Sequence, residues 1–351
     1  MPEAGGDCIE FRLADPGRDL EAVALVQEVA RPRIGPSFIR LANGADWVVA
    51  LPIPEVDRLE YLFEVHRPGG AVETITDATN QVRAAGPFGD KSVIELAGYR
   101  PPTWLAEPPA PSGTISEVLV HSAVLRRALH AVLWTSAGHD HDDPLPLLVV
   151  HDGVEYALYS GLLAFLDRAV AHGRLPPMHA ALLVPSRRNS DYSASPGYAR
   201  ALVEEVIPEV ERHLRTPGDA STRVAMGASL GGLAMLHAHR LHPDTFGALF
   251  LQSSSLFLAG LDDHESWLTH HPRIVRFVRG VLDRPAERPI PVVMTCGLVE
   301  ENLHGNRAVA AALTQGGYPV ALETVRDAHN WTAWRDTFDP HLAALLNRIW
   351  S

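Results

Sequence analysis

The sequence contains little of what marks several large classes of protein. Only two of its 351 residues are cysteines, Cys8 and Cys296, so a disulfide framework is excluded and reduced thiols in a reducing compartment are expected. Lysine and arginine number 30 against 42 aspartates and glutamates, and a net charge of -12 gives no support to a nucleic-acid or anionic-membrane partner. No run approaches the ~20 apolar residues of a membrane span. The acidic N-terminus does not resemble a signal peptide, so we expect a cytoplasmic protein.

The first hundred or so residues are typical of an all-β domain. Short runs of β-formers, at 9–13, 46–51 and 60–65, are separated by Gly, Pro and Asp. This pattern predicts an immunoglobulin-like β-sandwich. A proline-rich segment at 101–111 follows, and it predicts an extended linker. We therefore expect one domain at 1–111 and a second at 112–351.

From residue 112 onward, apolar strand-like runs alternate with helical patterns. Runs at 116–120 and 128–134 predict an antiparallel opening pair, and the continuous apolar run at 145–150 is typical of a strand buried on both faces. Helices at 157–172, 198–214, 267–281 and 306–313 alternate with strands at 180–184, 248–252, 291–295 and 320–325, and a last helix starts at 331. The alternation predicts an α/β fold with a mostly parallel sheet and helices on both faces.

A Gly-Ala-Ser-Leu-Gly-Gly motif at 227–232 lies between an apolar strand and a helical run. Strand, G-x-S-x-G and helix in this order force the serine onto a sharp turn, where its hydroxyl is exposed at the carboxyl end of a sheet. The pattern therefore predicts that Ser229 is a nucleophile, and such a nucleophile needs a base and an acid.

In this kind of fold the acid and then the histidine follow the serine along the chain. His329 lies in a loop directly after the last predicted strand, whereas His237 and His239 lie inside the helix after Ser229. His329 is therefore the expected base. Glu300 is the favoured acid, with Glu301 as the alternative and Asp327 a third candidate that lies too close to His329 in sequence.

An oxyanion hole needs two N–H groups held in place before the reaction. Leu230, directly after Ser229, should supply one of them. The other should come from the turn after the strand at 145–150, where Gly153 and Val154 are both candidates.

Five motifs together resemble the enterochelin (enterobactin) esterase family. They are His151-Asp152-Gly153, Arg188 with Asp191-Tyr192, the 227–232 turn, Gly297 with Glu300, and Ala328-His329-Asn330-Trp331 with Trp334-Arg335. The resemblance covers nearly the whole chain, and it implies an N-terminal β-sandwich before an α/β-hydrolase domain.

This resemblance also implies roles for single residues. It implies a Ser229, Glu300 and His329 triad, with Val154 and Leu230 as oxyanion donors. Three further residues are expected to contact substrate, namely Arg188, Asp152 and Trp331. It implies a serine esterase without a cofactor or metal, acting on a small-molecule ester that could be a siderophore trilactone.

The chain departs from the family pattern at two places. Asp191 stands where the family usually has glutamate, and Asp327-Ala328 replaces the glycine pair that often precedes the histidine. We hypothesise that Arg188 meets an anionic or polar acyl group, unless Asp191 neutralises it.

Other functions remain open on the same scaffold. The alternatives are an acyltransferase, a general carboxylesterase and a non-catalytic binding protein. The presence of serine, glutamate and histidine candidates for a triad argues against the last of these. The His-Asp-His-Asp-Asp run at 139–143 is interpreted as a charged turn rather than a metal site, because no distant ligand set accompanies it. The sequence does not indicate the oligomeric state.

Overall fold

A computed structural model describes residues 2–5, 7–42, 44–284 and 288–350. This part of the chain divides into two compact units. The first comprises the chain through Arg100 together with Gly297–Glu300 and Thr324–Ala333. The second comprises Pro101–Cys296, Glu301–Glu323 and the chain from Trp334 onward.

The first unit contains two mainly antiparallel sheets. Its strands are β1 (Glu3–Gly5), β2 (Cys8–Ala14), β3 (Ala22–Gln27), β4 (Ile34–Ser37), β5 (Ile39–Arg40), β6 (Asp46–Pro52), β7 (Arg58–His66), β8 (Val72–Ile75), β9 (Arg83–Ala84) and β10 (Lys91–Glu95). One sheet has the order β1-β2-β6-β5 and the other β4-β3-β7-β10-β9, with β8 also paired to β7. One apolar core contains residues of both sheets, including Phe11 and Trp47 from the first and Leu25 and Phe63 from the second. Two sheets around a shared core make a β-sandwich.

The alternation of buried and less buried residues in β7 explains why this segment is a strand. From Leu59 to Val65 every second side chain is buried, which fits a strand with one face on the core. The Tyr61 ring contacts Phe11 edge-on at 4.9 Å and Phe63 in a tilted arrangement at 5.6 Å. Aromatic contacts of this kind add to the stability that burial alone provides.

The second unit is built on an eight-stranded sheet. Its strands are β11 (Thr114–Ser122), β12 (Arg127–Thr135), β13 (Leu147–His151), β14 (His179–Val184), β15 (Arg223–Ala228), β16 (Ala248–Gln252), β17 (Val292–Gly297) and β18 (Val320–Val325). Their order in the sheet is β11-β12-β14-β13-β15-β16-β17-β18. The first two strands are antiparallel, while β14, β13, β15, β16 and β17 pair in parallel. Every residue of β13 and β16 is buried, as expected for central strands covered on both faces.

Helices connect these strands. They are α1 (Gly153–Tyr159), α2 (Leu162–Ala171), α3 (Arg188–Tyr192), α4 (Pro196–Ala201), α5 (Ile207–His213), α6 (Leu230–Leu241), α7 (His271–Asp283), α8 (Leu303–Gln315), α9 (Trp331–Asp336) and α10 (Ala343–Trp350). A wider helical turn at Leu202–Val206 joins α4 to α5. No helix within the described residues is both long enough and apolar enough to span a membrane.

The predicted elements differ from the structure at two instructive places. The helix predicted at 157–172 is two helices, because Gly161 at φ 64° ends the first and the chain turns before Leu162. The proline-rich segment predicted as a linker contains a short helical turn, Thr103–Ala106, and Trp104 there packs edge-on against Phe165 of α2 at 5.4 Å. The first compact unit includes the chain through Arg100, and the domain boundary after residue 111 stays a prediction.

Candidate active site

Ser229 lies in a strained turn between β15 and α6. Its backbone has φ 55° and ψ -126°, a conformation that side-chain-bearing residues rarely adopt. The glycines of the motif make this turn possible. A Cβ on Gly227 would lie 2.6 Å from the backbone of Gly231, and one on Gly232 would lie 2.2 Å from the Ser254 hydroxyl. The sequence motif therefore encodes a turn that presents the Ser229 side chain.

Three backbone hydrogen bonds and one side-chain contact fix Ser229, and one of the three is the bond from the Leu233 N–H of α6 to the Ser229 carbonyl at 3.2 Å. Its N–H donates to the Gln252 carbonyl at 2.9 Å, and its carbonyl accepts from the Ser255 N–H at 3.1 Å. The Ser255 hydroxyl also lies 3.2 Å from the Ser229 hydroxyl, and Ser255 is buried. Sequence reasoning missed Ser255, because nothing in its local pattern connects it with a residue 26 positions earlier.

A buried polar network supports β16, the strand next to the turn that carries Ser229. The Tyr156 hydroxyl donates to Gln252 Oε1 at 2.6 Å. Gln252 Nε2 donates to the Trp334 carbonyl at 2.9 Å and to the Thr337 hydroxyl at 2.6 Å. A polar residue at the end of the apolar strand β16 was the signal in the sequence for this network, because a buried amide must find partners.

The turn after β13 packs against the turn that carries Ser229. His151 Nδ1 donates to the Gly231 carbonyl at 3.0 Å, and burial lowers the pKa of His151 to about 4, so the ring is neutral. Gly153 and Val154 begin α1, just as Leu230 begins α6. A Cβ on Gly153 would lie 2.4 Å from the Cα of Leu182, so the close approach of α1 to β14 requires glycine. The structure thus brings the two predicted sources of oxyanion N–H groups to neighbouring turns.

The Arg188 side chain is engaged by Asp152. Arg188 Nε and Nη2 donate to the Asp152 carboxylate at 2.9 and 2.7 Å and form a bidentate ion pair. The Asp152 side chain is buried. The guanidinium also lies 5.6 Å from the ring of Tyr192. Asp191 is instead bonded by Arg127, whose Nη2 donates to both carboxylate oxygens at 2.6 Å. The hypothesis that Asp191 neutralises Arg188 was therefore wrong, and the sequence held no signal that links positions 152 and 188.

His329 and Glu300 form a hydrogen-bonded pair. His329 Nδ1 lies 2.8 Å from Glu300 Oε2, and the other carboxylate oxygen accepts from the Gly297 N–H at 2.8 Å. The Glu300 side chain is 2% exposed and that of His329 is 28% exposed. A neutral imidazole with Nδ1–H bonded to a carboxylate presents Nε2 as its proton acceptor, which is the tautomer that a general base needs.

Glu301, the alternative acid, points elsewhere. Its carboxylate lies 2.8 Å from His264 Nε2. Glu301, His264 and Glu265 each have one possible metal-ligand atom within 4.8 Å of the others. Among the described residues, this is the group that could hold a metal ion. Exposed acidic clusters are common without a metal. In the charged turn predicted at 139–143, His139 Nδ1 lies 2.9 Å from the Asp143 carboxylate, so these two side chains pair with each other.

Trp331, a predicted substrate-binding residue, is the first residue of α9 and lies two positions after His329. It is half-buried.

Comparison with known proteins places the chain in a family. The family model described as "Putative esterase" matches residues 135–345, and the chain belongs to this esterase family. The iron(III) enterobactin esterase of Dickeya dadantii is 25% identical over 213 residues, which are 58% of this chain and 48% of that protein. The iron(III) salmochelin esterase of Escherichia coli O6:H1 is 24% identical over 64% of this chain and 61% of that protein. The chain thus spans between about half and three fifths of the length of these relatives.

A solved structure extends the likeness to the whole chain. The enterobactin esterase of Shigella flexneri, crystallised in the presence of enterobactin, superposes with a TM-score of 0.77 over 100% of this chain and 95% of that one, at 20% identity. This likeness shows a common fold. The predicted fold class, an α/β-hydrolase sheet preceded by a β-sandwich, and the resemblance to the enterochelin esterases are confirmed.

Proposed function

We propose that this protein is a serine esterase that hydrolyses siderophore trilactones of the enterobactin type through Ser229, His329 and Glu300. The observation that carries the proposal is the His329–Glu300 pair, because it sets the imidazole in the tautomer that accepts a proton at Nε2. Ser229 in its strained turn supplies the matching nucleophile. The enterobactin and salmochelin esterases among its relatives support the choice of substrate class.

The sheet topology supports the pairing of these residues. Ser229 follows β15 and Glu300 follows β17, and both strands belong to the parallel part of one sheet. The carboxyl ends of parallel strands share one edge, where active sites of open α/β sheets are built. His329 follows β18, the neighbour of β17 in the strand order. The proposal requires His329 Nε2 to reach the Ser229 hydroxyl.

The reaction we propose is acyl transfer to water. His329 Nε2 takes the proton of the Ser229 hydroxyl as the oxygen attacks the ester carbonyl, and the N–H groups of Leu230 and Val154 bind the oxyanion. His329 then gives the proton to the leaving alcohol as the C–O bond breaks. In the second half, His329 takes a proton from water as the water oxygen attacks the acyl-enzyme. His329 then returns this proton to the Ser229 oxygen as the acyl–oxygen bond breaks and the acid leaves. Glu300 keeps the ring oriented and stabilises its charged form.

In this proposal Arg188 and Trp331 contact the substrate, and Asp152 contributes only by holding Arg188. Since Asp152 is buried and ion-paired, it orients the guanidinium and does not itself reach a ligand. The Arg188 side chain is 36% exposed, so an edge of the guanidinium can donate to a polar acyl group. The paired charges are neutral together, and the contribution is therefore directional hydrogen bonding rather than attraction over a distance.

One substrate panel tests the proposal. Purified wild type and Ser229→Ala are compared on enterobactin, its linear trimer and p-nitrophenyl butyrate, with a fluorophosphonate probe as an independent reading of the nucleophile. We expect wild type to cleave the trilactone and to be labelled, and Ser229→Ala to lose both with kcat reduced by about 10⁴-fold or more. Labelling of Ser229→Ala would contradict the nucleophile. Cleavage of p-nitrophenyl butyrate alone would leave an esterase but contradict the substrate class.

A further inference from the structure

The start of strand β7 holds the loop that carries His329. The Asp57 N–H donates to the Arg326 carbonyl at 2.7 Å, on the N-terminal side of His329. Arg58 Nη1 lies 3.4 Å from Asn330 Oδ1 on the C-terminal side, and 3.9 Å from the Asp327 carboxylate. All of these residues belong to the first unit, which includes Thr324–Ala333. Two consecutive residues of the sandwich therefore contact the loop on both sides of the histidine.

The contact through Arg58 is buried. Arg58, Asp327 and Asn330 are 3%, 6% and 5% exposed, and Arg58 Nη1 also lies 2.9 Å from Glu60. A buried guanidinium is stable only when its donors are matched by acceptors. We call Arg58, Glu60, Asp327 and Asn330 the Arg58 cluster. Its members link β7 to positions 327 and 330, which flank His329 by two residues and one.

Inside the loop, the same two residues shape the backbone around His329. Asp327 Oδ1 accepts from the Ala328 N–H at 2.7 Å and from Asn330 Nδ2 at 2.8 Å. Asn330 Oδ1 accepts from the Ala333 N–H at 2.8 Å, in the first turn of α9. The side chains at 327 and 330 thus close the loop over His329 and tie it to the following helix. Arg58, which lies on β7 and not in this loop, contacts the Asp327 and Asn330 side chains.

The Arg58 cluster places one buried cation, Arg58, near two carboxyl groups, those of Glu60 and Asp327. Burial raises the pKa of Asp327 to about 7, Arg58 lowers it, and Glu60 raises it. Lys91 of β10 lies 3.5 Å from Glu60 and 2.9 Å from Glu28. Burial raises the pKa of Glu28, but Lys91 outweighs it and the net pKa is lowered. Loss of the Arg58 charge would leave Asp327 protonated at neutral pH.

We propose that Arg58 is a positioning residue for the catalytic histidine: through Asp327 and Asn330 it fixes the loop so that His329 Nδ1 stays on Glu300. The inference rests on the proposed function, in which His329 is the general base. Arg58 touches neither substrate nor the reacting atoms. Its effect is on chemistry rather than on binding, because a small displacement of a base costs rate steeply.

The first test compares Arg58→Met with Arg326→Met. Both remove an arginine that links residues 57–58 to the same loop, but Arg326 is 53% exposed and its pair with Asp57 lies at the surface. With active sites titrated by a fluorophosphonate, Arg58→Met should lose roughly ten- to a hundredfold in kcat for p-nitrophenyl butyrate with KM within about threefold. Arg326→Met should keep kcat within about twofold. Equal kcat values in the two variants would overturn the inference.

A second readout does not depend on activity. The Nδ1 proton of His329, bonded to Glu300, should give a low-field proton NMR signal that is absent from His329→Ala. We expect the signal in wild type and Arg326→Met and its loss or broadening in Arg58→Met. A wild type that shows the signal but cleaves no ester would contradict the proposed function and leave the positioning intact. An unchanged signal in Arg58→Met would overturn the positioning role.

A double variant separates positioning from charge compensation. Arg58→Met removes the cation that faces the buried Asp327 and shifts this carboxyl to its protonated form, so the single variant loses stability through the lost ion pair alone. Arg58→Met with Asp327→Asn removes both charges and keeps an acceptor for the Ala328 N–H. We expect the double variant to regain thermal stability but not kcat. Recovery of wild-type kcat would mean that Arg58 only offsets a buried charge, and the inference would fall.

Discussion

Replacement of Glu300 by glutamine tests the proposed acid most sharply, because the two oxygens of this carboxylate have different partners. One accepts from the Gly297 N–H at 2.8 Å, and the other faces His329 Nδ1 at 2.8 Å. Both partners donate, so the site requires two acceptors. A glutamine amide has one acceptor and one donor group, and it cannot satisfy both positions in either orientation.

Each orientation has a calculable consequence. With the amide oxygen on Gly297, the amide nitrogen faces His329 Nδ1 and selects the tautomer protonated at Nε2, which cannot accept a proton from Ser229; the wrong tautomer costs up to about 10⁴-fold in kcat in triads of this type. With the orientation reversed, a buried N–H faces another N–H, at a cost of about 1–3 kcal/mol. That cost alone limits the productive fraction to roughly one in five to one in 150. Loss of the carboxylate charge lowers the rate further, so we expect a fall of about 10² to 10⁴.

The assay is kcat for p-nitrophenyl butyrate per titrated active site, with Glu301→Gln as the matched control. Glu301 is the adjacent residue and carries the same side chain, but its partner is the exposed His264. Glu301→Gln should therefore change kcat by less than about twofold. A loss in Glu301→Gln as large as in Glu300→Gln, or a loss below tenfold in Glu300→Gln, would refute the assignment of the acid.

Two further outcomes follow from buried charges near the site. Arg188→Lys keeps the charge that Asp152 needs but loses the planar fork, so KM for enterobactin should rise severalfold while KM for p-nitrophenyl butyrate stays within about twofold; equal changes for both esters would make Arg188 structural. Asp327 has its pKa raised by burial from 3.8 to about 7, so the folded protein binds a proton that the unfolded chain releases, and stability falls as pH rises through that window by at most about 4 kcal/mol. Asp327→Asn should then unfold at a higher temperature than wild type at pH 8.5 and show a smaller difference at pH 5, and a difference that is larger at pH 5 would contradict this reasoning.

Local patterns in the sequence were sufficient to predict most of the second unit. The strands predicted at 248–252 and 320–325 have the bounds that the structure gives to β16 and β18. The first is a continuous apolar run, and such runs indicate strands buried on both faces without any knowledge of their neighbours. Helix boundaries were less predictable, since the break at Gly161 depends on a left-handed backbone conformation that glycine permits but does not require.

The candidate site divides in the same way. Ser229 and His329 became candidates from the sequence because a strained turn and the order of residues along the chain are read from local patterns. The partners of Arg188 were not, since Asp152 lies 36 positions away and Asp191, three positions away, binds Arg127. Distance along the sequence favoured Asp191 as the partner of Arg188, but the packing of the folded chain places Asp152 there instead.

The sequence by itself determined the sheet, the turn that carries Ser229 and the presence of a histidine and glutamates in suitable loops, because periodicity and glycine spacing act over a few residues. Only the tertiary structure decided which glutamate contacts His329, and it did so through the direction in which two adjacent side chains leave one loop. It also decided that Arg58 contacts the residues that flank His329, 272 positions from Asn330. Side-chain direction and contacts between distant segments arise from packing, and no local sequence pattern predicts an individual contact of this kind.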